Sequence, residues 1–144
     1  MSAVDLIIFG ATGDLSARKL FPALFQLDAA ELLQDDLRIA AVGRQQQTVE
    51  AFRDELRLKM SRYMRQEMNT EVWHRFVERL DYLAADFAEP RAFGGLRGWL
   101  DDGRVSLFYL ATPPSLFTTI CEQLNDDRCL TGPCRIVLSS VSFL

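Results

Sequence analysis

At 144 residues, 49% hydrophobic and 25% charged, the chain has enough apolar surface for one domain of ordinary size, which excludes disorder as its overall state. A net charge of −4 excludes the broad basic face of a nucleic-acid binder but not a local phosphate site, for which a few arginines suffice. No apolar run reaches the roughly 18 to 20 residues that span a bilayer and no basic leader precedes the first one, so neither membrane nor nucleic acid is an expected partner.

The first apolar run, residues 4–9, has the pattern of a buried parallel strand and ends at Gly10. A glycine turn over 10–14 leads into a helix with Leu15, Leu20, Leu24 and Leu27 on one stripe, and Pro22 predicts a kink or restart within it. Residues 38–43 read as a second strand. A charged, periodic stretch over 48–68, with Val49, Phe52, Leu56 and Met60 in step, predicts one long helix, and 71–80 another. A third strand is expected over 82–87, a helix over 89–100 despite Gly94, Gly95 and Gly98, and a fourth strand over 105–111. The loop Thr112-Pro113-Pro114 then precedes a helix over 116–124, and a fifth strand follows over 135–138. Strands alternating with helices predict an α/β fold: a Rossmann-like, doubly wound parallel sheet in a single domain.

Cys121, Cys129 and Cys134 have neither the number nor the spacing of a disulfide framework, and the lone His74 is too far away to complete a zinc set. They are expected to be reduced thiols in a cytoplasmic protein.

The chemistry concentrates in Gly10-Ala11-Thr12-Gly13-Asp14-Leu15-Ser16-Ala17, between the first strand and the first helix. A pyrophosphate bound there needs close backbone approach, which glycine permits, and the free N–H groups and positive dipole end of a helix. Gly10 serves the tight turn, Gly13 the close approach, and Ser16 the small position where helix and strand pack. The pattern is G-x-x-G-x-x-small, not G-x-G-x-x-G, and a plain strand-to-helix turn is its other reading. The second strand ends at Val42-Gly43-Arg44-Gln45. An acidic residue at this place holds the ribose hydroxyls of NAD, whereas an arginine suits the 2′-phosphate of NADP. Arg44 stands there, with no carboxylate before Glu50; a solvated surface arginine is the alternative.

Residues 8–20, IFGATGDLSARKL, resemble the opening signature of glucose-6-phosphate dehydrogenases, G-x-x-G-D-L-A-x-R-K-L. The resemblance extends to Val42-Gly43-Arg44 and to Phe108-Tyr109-Leu110-Ala111-Thr112-Pro113-Pro114, which matches the family's F-Y-L-A-x-P-P strand and loop. It implies the NADP-binding domain of an enzyme of the oxidative pentose phosphate pathway, which oxidises glucose 6-phosphate at its C1 hydroxyl to a lactone. It implies that Gly10 to Ala17 form the phosphate-binding turn and that Arg44 contacts the 2′-phosphate. It also implies that Asp86 and Phe87 lie on the adenosine side and that Ala111, Thr112 and Pro113 form the loop beside the nicotinamide. Lys19 matches the signature lysine, which helps fix this region and contacts sugar phosphate; a helix-surface lysine is the equal alternative.

The family's next motif, E-K-P-x-G, does not follow the strand at 135–138. Residues 139–144 read SSVSFL instead, and Lys19 and Lys59 are the only lysines. The R-I-D-H-Y segment that carries the family's general base is absent, and His74 matches no catalytic motif. Removing a proton from a sugar hydroxyl needs such a base. The chain is therefore expected to be inactive alone, its substrate and dimerisation domain missing, and the break after Leu138 suggests a frameshift or an early stop. Alternative readings are a non-catalytic NADP-binding module, an atypical short-chain dehydrogenase (for which no Tyr-x-x-x-Lys is present), or an unstable fragment.

Overall fold

The computed structural model describes residues 3–139. Except for Ser139, the expectation drawn from residues 139–144 lies outside the described residues. Five parallel strands form one sheet in the order β3-β2-β1-β4-β5: β1 (Val4–Phe9), β2 (Arg38–Gly43), β3 (Leu80–Ala84), β4 (Val105–Leu110) and β5 (Cys134–Leu138). The central strands are continuous apolar runs because helices cover both their faces: Ile7 to Phe9 and Ile39 to Val42 are fully buried. Successive side chains point to opposite faces, so Ile8, Ile39 and Ala41 join one core with Phe21, Phe52, Trp73 and Phe76. Ile7, Phe9, Ala40 and Val42 join the other with Phe93, Phe108, Ile120 and Leu124.

The first helical segment runs from residue 14 to residue 29 and changes pitch. A π-helical stretch, Ser16–Leu20, closes with the Phe21 N–H donating to Ser16 O, and α1 (Phe21–Ala29) begins with Pro22 in its first turn. This is the restart expected at Pro22, which has no N–H to continue the preceding spiral. The charged stretch is not one helix to residue 68: α2 (Val49–Tyr63) stops, and α3 (Thr70–Val77) starts on Asn69, whose side chain accepts from the N–H groups of Glu71 and Val72.

The third strand lies two residues earlier than the apolar pattern suggests. Leu80 pairs with Ile39, and Asp86 accepts from the Ala88 N–H at 3.0 Å, turning the chain away from the sheet. The helix expected over 89–100 shrinks to α4 (Gly94–Trp99), since Pro90, the positive φ at Arg91 and the glycine pair resist an earlier start. A single 3₁₀ turn, Pro114–Leu116, leads into α5 (Phe117–Asp126). Among the described residues no helix is long and apolar enough to cross a membrane.

Cys129 is buried beneath Phe93, and burial pushes its thiol up to about 11 from 9.0. The native state favours the neutral thiol, so the stability it carries is intact below pH 9 and is lost as the pH rises through about 11. In thiol titrations at pH 8, Cys129 should react only as fast as the chain unfolds, whereas Cys121 and Cys134, which are partly accessible, should react faster. Equal reactivity of all three in the native chain would contradict this packing.

Candidate dinucleotide-binding cleft

The strand order reverses between β1 and β4, whose outgoing connections take opposite faces of the sheet. Ligands of open α/β sheets bind outside the carboxyl ends of the strands at such a point. A cleft of about 560 Å³ lies there, within the usual size of a small-molecule site. Gly10, Thr12 and Gly13 line it from the first turn, and Val42, Gly43, Arg44 and Gln45 from the end of β2. Asp86 and Phe87 reach it from the turn after β3, and Ala111, Thr112, Pro113 and Leu116 from beyond β4.

The turn is assembled from within. Gly10 has φ +79°, and a Cβ on it would stand 2.8 Å from Ala111 O and 3.1 Å from Thr112 Cγ2. The turn therefore needs glycine both for its left-handed backbone and for contact with the β4 loop. Gly10 O accepts from the Gly13 N–H at 3.0 Å and from Ser16 Oγ at 2.9 Å. Ser16 is thus more than a small residue: it is fully buried and its hydroxyl ties the helix to the turn. Ala11 and Ala17 are buried in the core beneath, and the Ala11 N–H donates to Val42 O. Ala11, Asp14, Leu15, Ser16 and Ala17 build the turn and helix start without lining the cleft. Asp14 is exposed, pairs with Arg18 at 2.8 Å and accepts from Tyr63 Oη at 3.0 Å. Lys19 is exposed on the π-helical stretch and does not line the cleft. His74 is exposed on α3.

At the end of β2, Tyr82 Oη donates to Gln45 O at 2.6 Å, and a Cβ on Gly43 would lie 2.6 Å from that hydroxyl and 2.9 Å from Thr12 Cγ2. Gly43 thus lets β2, β3 and the glycine turn converge. Arg44 is exposed beside the cleft and enters none of the ion pairs among the described residues. Phe87 packs its ring on Phe9 and Phe93. Thr112 is 3% exposed, and its Oγ1 has no hydrogen-bond partner among the described residues. Val42, Gly43 and Gln45, part of the motif around Arg44 but given no role of their own in the sequence, also line the cleft, as does Leu116, which carries no local signal.

The comparisons with known proteins agree with this geometry. The sequence model of the family described as glucose-6-phosphate dehydrogenase, NAD binding domain, matches residues 7–139. A glucose-6-phosphate 1-dehydrogenase of Dickeya dadantii (strain 3937) is 34% identical over 137 residues, covering 94% of the chain and 28% of that relative. One of Zymomonas mobilis is 39% identical over 132 residues, covering 89% and 27%. A crystal structure of glucose-6-phosphate 1-dehydrogenase from Mycobacterium avium superposes with a TM-score of 0.88 at 28% identity, covering 97% of this chain and 30% of that one. A glucose-6-phosphate dehydrogenase in complex with its substrate glucose-6-phosphate gives 0.79 at 26% identity, covering 94% and 30%. The chain thus spans less than a third of the length of these relatives.

Proposed function

The chain belongs to the glucose-6-phosphate dehydrogenase family, through its NAD-binding domain, and from that membership we propose that it is the NADP-holding portion of an enzyme that oxidises glucose 6-phosphate to its lactone. The observation that carries the reading is one cleft, at the reversal of strand order, holding both the glycine turn and Arg44, which enters no ion pair among the described residues. The buried Thr112 hydroxyl, without a hydrogen-bond partner among the described residues, and the exposed, side-chain-free Gly13 on the same cleft suit a polar ligand that approaches the backbone closely. When bound, the dinucleotide supplies the hydride acceptor for oxidation at C1 of the sugar.

Gly10, Thr12 and Gly13 are assigned to the pyrophosphate, with Ala11, Ser16 and Ala17 anchoring the turn and the helix start at Asp14 and Leu15 presenting its free N–H groups. Arg44 is assigned to the 2′-phosphate, where its planar fork forms charge-assisted hydrogen bonds. Asp86 and Phe87 border the adenosine, and Ala111, Thr112 and Pro113 border the nicotinamide. Lys19 stays outside this set because it does not line the cleft. The family's proton-accepting histidine motif is not in the sequence. The base, the sugar-phosphate site and the dimer contacts are therefore assigned to the portion of the relatives that the chain does not span, and the chain alone turns over no glucose 6-phosphate. Reduced thiols such as Cys129 suit a cytoplasmic location.

Titration with NADP+ and NAD+ tests the assignment. The chain should prefer NADP+, and Arg44→Ala should weaken NADP+ by about 10- to 100-fold, the size of a lost hydrogen bond to a charged group of about 1.5–3 kcal/mol, while leaving NAD+ nearly unchanged. Equal affinity for both nucleotides in the unsubstituted chain would remove Arg44 from the role.

A further inference from the structure

The glycine turn is held from outside by a helix remote from it in sequence. Lys59, on α2, donates from Nζ to the backbone oxygen of Thr12 at 3.3 Å and pairs with Glu55 at 2.8 Å. One turn further along the same helix, Tyr63 Oη donates to Asp14 at 3.0 Å, and Arg18, which also pairs with Asp14, lies over the Tyr63 ring at 5.2 Å. The peptide unit joining Thr12 to Gly13 is therefore held at both ends: its carbonyl oxygen by Lys59 and its N–H by Gly10 O at 3.0 Å. A peptide unit is planar, so fixing both ends fixes its tilt. Its tilt in turn sets where Asp14 and Leu15 begin the helix and which way their unpaired N–H groups face. Tyr63 and Arg18 meanwhile occupy the Asp14 carboxylate, the one negative charge in the turn.

We propose that Lys59 is a positioning residue for diphosphate binding: from α2 it fixes the Thr12–Gly13 peptide of the glycine turn and adds a positive charge behind it, without touching the ligand. The proposal rests on the nucleotide reading of the cleft. Lys59 does not line that cleft, and its side chain is 32% exposed, so its removal leaves no unpaired buried charge.

The test compares two ligands that use different parts of the site. NADP+ carries the diphosphate and the 2′-phosphate, whereas adenosine 2′-monophosphate carries only the latter. In calorimetric titrations Lys59→Met, which keeps the apolar stem, should weaken NADP+ by about five- to tenfold, the size of an ordinary hydrogen bond, because Lys59 acts on the ligand only through the turn. It should leave adenosine 2′-monophosphate within about twofold, while Arg44→Ala weakens both. Lys59→Arg should recover most of the NADP+ affinity. In the ligand-free chain, amide exchange at Gly13 should accelerate in Lys59→Met with the melting temperature unchanged, a readout that needs no nucleotide. NADP+ binding unaltered by Lys59→Met, or both ligands lost together with a lowered melting temperature, overturns the proposal. An unsubstituted chain that binds neither ligand sinks the nucleotide reading itself, and the role of Lys59 with it.

Discussion

Asp5→Ala should lower the stability of the chain by about 3–5 kcal/mol, the cost of removing one partner from a buried charge network, and its melting temperature by about 10 °C or more. Asp5 is fully buried at the end of the sheet opposite the cleft. It accepts from Arg38 Nε at 2.9 Å and Nη2 at 2.5 Å, and from Arg104 Nε at 2.6 Å. Arg38 lies on β2 opposite Asp5, Arg104 immediately precedes β4, and Asp5 itself is on β1, so one carboxylate joins three strands. The network extends outward, with Arg38 over the Trp99 ring at 4.1 Å and the Trp99 indole N–H donating to Asp81 at 2.7 Å. Without Asp5, the guanidinium groups of Arg38 and Arg104 lose the carboxylate they share beside an apolar strand and keep only backbone acceptors and, for Arg38, the more distant Asp81 and Asp101. That loss is large against the roughly 5–15 kcal/mol by which domains are stable. Thermal unfolding followed by circular dichroism measures it. Because the network lies away from the cleft, nucleotide affinity measured well below the transition should stay within about twofold. An unchanged melting temperature would mean that the two arginines find water or other partners without cost.

Gly10→Ala should act on both stability and binding. A side chain at φ +79° costs about 1–2 kcal/mol in the left-handed region. The added Cβ would meet the oxygen and carbon of Ala111 at 2.8 and 3.1 Å. These are backbone atoms held by the bond from the Ala111 N–H to Phe9 O, so they cannot rotate aside as a side chain would. The loop after β4 must separate from the loop after β1, and the two sides of the cleft move apart. A total destabilisation of about 2–4 kcal/mol is expected, with NADP+ binding lost even in the fraction that stays folded. Chemical denaturation and nucleotide titration on the same preparation separate the two effects. A Gly10→Ala chain that binds NADP+ normally would show that the turn tolerates a rearranged backbone.

The contrast between these two positions bears on what could be read from the residues alone. Gly10 stands out by its place between an apolar run and a helical pattern, and that local context already demands a backbone few other residues adopt. Asp5 does not stand out, because a carboxylate inside an apolar strand makes physical sense only once Arg38 and Arg104 arrive from 33 and 99 residues away. The same division runs through the elements. β1, β2 and β4 are largely apolar runs bounded by glycine, charge or proline, and their ends fall within a residue of the pattern. β3 is displaced because its register is set by pairing with β2, a partner that local periodicity does not contain. The long charged stretch breaks at residue 63 because Asn69 caps a new helix whose Trp73 and Phe76 must reach the core.

By itself, then, the amino-acid sequence determined the alternation of strands and helices, the glycine turn, the arginine where an acidic residue would stand for NAD, and the family that these motifs resemble. All of these are short-range, since turn conformation, helix starts and apolar runs depend on residues within a few positions of one another. Only the tertiary structure decided that the turn, Arg44, Asp86, Phe87 and the proline loop enclose one cleft, that Tyr82 supports the end of β2, that Lys59 and Tyr63 brace the turn, and that Asp5 joins three strands. Each of these joins residues about 30 to 100 positions apart. The physical reason is the parallel topology: each crossover returns the chain to the same edge of the sheet, so groups distant in sequence meet at the strand ends.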